Sequence, residues 1–134
     1  MQNNPRGIRN NNPGNIRYDG TPWRGLATPP TDGAFCVFIA PKYGIRALAR
    51  VLKTYNDKYG ICTIAGIVER YAPAAENDTE AYIASICTQT GLHADAELDL
   101  HSNDVLAELI KAIVRHENGQ MPYTDAQITE GLQC

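Results

Sequence analysis

The stretch VLAELIKAIVRHENG, residues 105–119, decides the fold class. Its apolar residues Leu106, Leu109, Ile110, Ile113 and Val114 recur at intervals of three and four, the repeat of one buried helix face and not the alternation of a strand. Ser102 stands where an N-cap hydroxyl belongs, and Gly119 where the chain leaves the helix. At about 100° per residue, Glu117 falls about 20° from Ile110, so a carboxylate continues the apolar stripe. Desolvation and the negative end of the helix dipole both act to raise its pKa, as a general acid working near neutral pH requires. The alternative is a frayed end that turns Glu117 to water or pairs it with Arg115 or Lys111. His116 stands about 100° away around the helix, either as a surface residue at the helix end or as a substrate contact.

The same period runs outward on both sides. Pro41 suits a first helical turn, and Tyr43, Ala47, Leu48, Val51, Leu52 and Tyr55 then mark one face up to Gly60. Thr63 opens a shorter helix carrying Ile64, Ile67, Val68 and Tyr71, which Pro73 stops. Asn77 with Glu80 has capping-box spacing before Tyr82, Ile83, Ile86 and Cys87, and Gly91 closes that helix. Thr124 with Gln127 is a capping box for a terminal helix ending near Gly131. A mainly α fold of about five helices over residues 41–133 is expected, in one domain spanning 1–134.

Residues 1–33 read differently. They hold five of the eight prolines and five of the eleven glycines, with turn signals at NPG, DGTP and TPPTDG, so a long irregular region is expected. AFCVFIA, residues 34–40, is an apolar run bounded by Gly33 and Pro41 and reads as a short buried strand or extended segment. Within NNNPGNIR, residues 10–17, Asn11 and Asn12 either form turns through their own backbone or offer amides to a ligand. Trp23, the one tryptophan, is either the plug of a small satellite core or a plate on which a sugar ring stacks.

Composition narrows the classes. With 43% hydrophobic and 20% charged residues, the 134-residue chain lies in the globular range and not the disordered one. A formal charge of -3 gives no general reason to bind a phosphate backbone, and nucleic acid is not expected as a partner. Arg6, Arg9, Arg17 and Arg24 nevertheless make the first 24 residues locally basic. No apolar run reaches the length of a membrane span, and MQNNPRG lacks the apolar core of a signal peptide. Cys36, Cys62, Cys87 and Cys134 form no CxxC pair and no zinc spacing, so free thiols are expected, Cys134 exposed, with no metal and no cofactor.

Together, RGIRNNNPGNIRY, the W-x-G at Trp23 to Gly25, FCVFIAPKYGIRAL, TIAGIVERYAPAAENDTEAYI and IVRHENGQMPY resemble a family of small phage and prophage proteins. These are usually labelled virion or structural proteins, and some are linked to lysozyme-like or lytic transglycosylase domains. VLAELIKAIVRHENG is also similar to the transglycosylase helix in which a Leu, Ile and Ala run leads to the acidic Glu. There an Asn-Pro turn follows the Glu, whereas here RNNNPGNIR stands at the opposite end of the chain, as in a circular permutation. Permutation is sterically reasonable if Met1 and Cys134 lie close together.

The resemblance implies a lysozyme-like domain that cleaves the peptidoglycan glycan strand, with Glu117 as acid. Asn11, Asn12, Arg17, Trp23, His116 and Tyr123 are then the glycan contacts. It implies synthesis in the host cytoplasm or carriage in the virion beside other virion proteins, with action at the periplasmic cell wall. No second acid stands at a fixed place, although Asp32, Glu69 and Glu76 are available. A transglycosylase, in which the substrate's own acetamido or 6-hydroxyl group completes the reaction, is favoured over two-carboxylate hydrolysis. A non-catalytic virion component or glycan binder of the same fold is the alternative.

Overall fold

Residues 4–134 are described by the computed structural model. A short first turn α1 (Arg6–Arg9) leads through the asparagine loop to a two-stranded antiparallel hairpin, β1 (Leu26–Thr31) and β2 (Cys36–Phe38). Five longer helices follow: α2 (Pro41–Tyr59), α3 (Ile64–Tyr71), α4 (Thr79–Thr90), α5 (Asn103–Asn118) and α6 (Asp125–Gln133). The fold is mainly α.

Local signals explain the helix ends. Thr63, Ser102 and Thr124 each accept a backbone N–H from the residue three positions on, and Thr124 with Gln127 completes a reciprocal capping box. Gly60, Gly91 and Gly119 end α2, α4 and α5 in the left-handed conformation. The expected cap of α4 moves by one residue. Asp78 accepts from the Ala81 N–H at 3.1 Å, while the Asn77 amide donates to the Pro73 carbonyl. An acceptor-only carboxylate beside the positive end of a helix serves that place better than an amide engaged elsewhere.

The α5 stripe lies at the centre of the main core, with Leu106, Leu109, Ile110, Ile113 and Val114 buried against Ile45, Leu48 and Leu52 of α2 and Ile86 of α4. Helix α6 packs along α2, α4 packs along α5, and α3 packs on α4. A smaller cluster of Cys36, Phe38 and Ala47 lies under the hairpin, with Trp23, Leu26 and Tyr43 around it.

Two expectations change here. The first 33 residues are not loop throughout: α1 and β1 lie within them, and the bridge between Arg17 and Phe35 extends the hairpin. LATPPT forms a strand despite Pro29 and Pro30 because β1 has β2 as its sole neighbour among the described residues, and an edge strand tolerates missing donors. Cys134 is partly buried and not exposed; all four cysteines are free, and Cys36 is the buried one. Met1, whose nearness to Cys134 the permutation requires, lies outside the described residues.

Candidate functional site

The asparagine loop folds back on the body of the protein through its own amides. Asn11 and Asn15 adopt positive φ of 52° and 51°, a region that asparagine enters at lower cost than most residues. The Asn12 side chain is fully buried. Its Nδ2 donates to the Ile16 and Cys36 carbonyls at 3.0 Å each, and its Oδ1 accepts the Ile16 N–H. The Asn11 Nδ2 donates to the Phe38 carbonyl, and Gly44, with no Cβ, lets the Asn11 carbonyl lie directly against α2.

The helices then hold three successive residues of the loop. Asn118 donates through Nδ2 to the Pro13 carbonyl at 2.8 Å, and the Tyr71 hydroxyl donates to the Gly14 carbonyl. Asn15 donates through Nδ2 to Oε1 of Glu117 at 2.9 Å, and the other oxygen, Oε2, accepts from the Tyr82 hydroxyl at 2.8 Å. Glu117 therefore turns inward and is partly buried. Neither suggested cation reaches it, because Arg115 donates to Gln89 and Lys111 pairs with Asp125 at 2.7 Å.

A cleft of about 400 Å³ opens at this point, walled by residues 14–17 and Phe35 on one side and by Tyr55, Tyr71, Glu76, Asn77 and Glu117 on the other. A second hollow of about 240 Å³ lies beyond it, formed by Asp78, Ala81, Tyr82 and His116, and shares Asn77 and Glu117 with the first. Glu117 thus stands where two cavities meet. No three His, Cys, Asp or Glu side chains among the described residues gather closely enough to hold a metal.

Two phenols close to the carboxylate respond to it. Burial first, and then the charge of Glu117, push the Tyr82 hydroxyl far above the ordinary phenol range. Tyr71 moves the same way for the same two reasons in the same order. Both therefore remain neutral donors. In the unfolded chain they ionise near pH 10, so their contribution to stability is complete below about pH 10 and is lost as pH rises through the folded-state values. Stability should fall above that point by about 1.4 kcal/mol per pH unit for each phenol kept protonated. Urea melts at pH 9 and pH 11 check this, and Tyr82→Phe should reduce the loss by one phenol's share.

The residues named from sequence separate into two groups. Glu117, Arg17 and His116 border the joined cavities, with the His116 ring 3.8 Å from that of Tyr82. Asn11 and Asn12 do not reach the cleft as ligand-facing amides, because both are spent on the backbone that shapes the loop. Trp23 packs on the small cluster under the hairpin, away from both cavities, as its structural alternative required. Tyr123 belongs to the main core; its hydroxyl is buried without a partner and is pushed up to about 12 by burial.

Among the other acids, Asp32 is occupied by Arg6 and Asn10, Glu69 borders neither cavity, and Glu76 lines the larger one. Asn15 and Asn118 carry no sequence signal for this site, and Tyr71 and Tyr82 read in sequence only as apolar helix-face residues. The available signal was that a buried tyrosine has to satisfy its hydroxyl, and Tyr82 shares a buried surface with the helix that carries Glu117.

No family model matches the chain. Over 131 residues it is 41% identical to Protein P5 of Pseudoalteromonas phage PM2, covering 96% of this chain and 80% of that protein.

Proposed function

The chain belongs to the family of Protein P5 of Pseudoalteromonas phage PM2, and from that premise we propose that it is a phage-borne enzyme that cuts the glycan strand of peptidoglycan. The observation that carries the reading is a single inward-turned carboxylate, Glu117, at the junction of two cavities that together make a groove. A groove that crosses an acid suits a polymer bound on both sides of the bond to be broken.

In this mechanism a proton carried by Glu117 passes to the glycosidic oxygen as the bond from that oxygen to the anomeric carbon breaks. The Asn15 amide and Tyr82 hydroxyl, already aimed at its two oxygens, stabilise the carboxylate that remains. The 6-hydroxyl of the same sugar then closes on the anomeric carbon and returns its proton to Glu117. The product is a 1,6-anhydro end, with no water consumed and no second carboxylate required. Arg17 and His116 border the groove as glycan contacts.

A non-catalytic virion component of the same fold is the second reading. It is favoured by one observation, that both oxygens of Glu117 also tie the loop to α4 and α5. The two readings part on a suspension of purified sacculi. The enzyme clears the turbidity, whereas a binder sediments with the sacculi and leaves turbidity unchanged.

A further inference from the structure

Two guanidinium groups lie over the ring of Phe35, that of Arg6 at 4.5 Å from the centroid and that of Arg17 at 5.0 Å. They are not in the same state. Arg6 donates through Nε to the Asp32 carboxylate at 2.6 Å, and that contact, with backbone N–H groups added, holds Asp32 well below the ordinary carboxylate range. Arg17 has no carboxylate partner among the described residues and borders the cleft. Two contacts place this exposed residue: its backbone bridges to Phe35, and its guanidinium lies over the ring of that residue. A planar fork held in this way, open to the groove, matches a carboxylate.

Charge along the groove points the same way. The connection between α3 and α4 supplies Glu76 and Asp78, one in each cavity, flanking the shared Asn77. That rim repels an anion and suits neutral hydroxyl and acetamido groups, whereas the Arg17 rim attracts one.

We infer that Arg17 binds a carboxylate borne by the glycan, so that the site selects acidic, muramyl-containing strands over neutral ones and fixes the direction in which a strand crosses Glu117. The inference rests on the reading of the groove as a glycan site. The carboxylate has two sources, the peptide stem or the lactyl group freed when the stem is removed.

The test measures binding by Glu117→Gln protein, with Arg17 intact, changed to Gln or changed to Lys. The probes are soluble peptide-bearing glycan strands, the same strands stripped of peptide by an amidase, and neutral tetra-N-acetylchitotetraose. Arg17→Gln should weaken binding of acidic strands about tenfold and leave the neutral tetrasaccharide unchanged, with Arg17→Lys in between. Loss on peptide-bearing strands alone assigns the stem carboxylate, and loss on stripped strands alone the lactyl group. Equal losses on acidic and neutral probes, no loss on any, or no binding of acidic strands by the parent would overturn the inference. Arg17-dependent binding by a wild type that releases no product would sink the cleavage reading and leave this one standing. Cleavage of sacculi that is indifferent to Arg17 would do the reverse.

Discussion

Replacing Glu117 by Gln should lower release of soluble glycan from sacculi by about 10²–10⁴-fold, the range lost when a positioned general acid is removed. The same change should move stability by no more than about 1 kcal/mol. Gln keeps the shape of the side chain, and its carbonyl still accepts from the Tyr82 hydroxyl or the Asn15 amide. Its Nε2 then faces the remaining donor. On the Asn15 side the clash is relieved by turning the Asn15 amide over, since its Oδ1 is buried without a partner. Removing a negative charge from the last turn of α5 also lifts an unfavourable interaction with the helix dipole. Activity and melting temperature therefore separate in this variant, which a carboxylate that only ties the loop to the helices does not allow. Equal lysis by wild type and variant would remove Glu117 as the acid.

The second large effect falls on stability. Asn12→Ala should cost about 3–5 kcal/mol, because it removes three hydrogen bonds and leaves buried backbone groups at Ile16 and Cys36 without partners. For a domain of this size that is a fall in melting temperature of about 10–20 °C. Circular dichroism melts of the two proteins check it. An unchanged melt with weakened glycan binding would put Asn12 back among the ligand contacts.

The contrast between Glu117 and Asn12 marks what the sequence made legible. Helices were readable because period and caps agree: Ser102, the stripe from Leu106 to Val114 and Gly119 all describe one segment, which is α5 as observed. The strand LATPPT was hidden because its prolines carry the local signal of a turn, and only its edge position makes them tolerable. The direction of Glu117 followed from angle alone. Which asparagine meets it did not, since Asn10, Asn11, Asn12 and Asn15 look alike in sequence and differ only in where two left-handed turns send their side chains. Tyr71 and Tyr82 read as core aromatics by period, and a hydroxyl's partner on another helix leaves no trace in spacing. Trp23, open in sequence to either a packing or a ligand role, packs on the small cluster, and Tyr123, implied as a glycan contact by resemblance, lies in the main core.

The central claim is that Glu117 breaks a glycosidic bond by itself and the substrate completes the reaction. The most direct measurement is mass spectrometry of the soluble muropeptides released when the purified protein is incubated with sacculi, run beside Glu117→Gln. The account predicts products with 1,6-anhydro ends from the wild type and none from the variant. Reducing ends in place of anhydro ends would contradict the single-acid mechanism and direct attention to Glu76 as a second carboxylate. No release by the folded wild type would contradict the enzyme altogether.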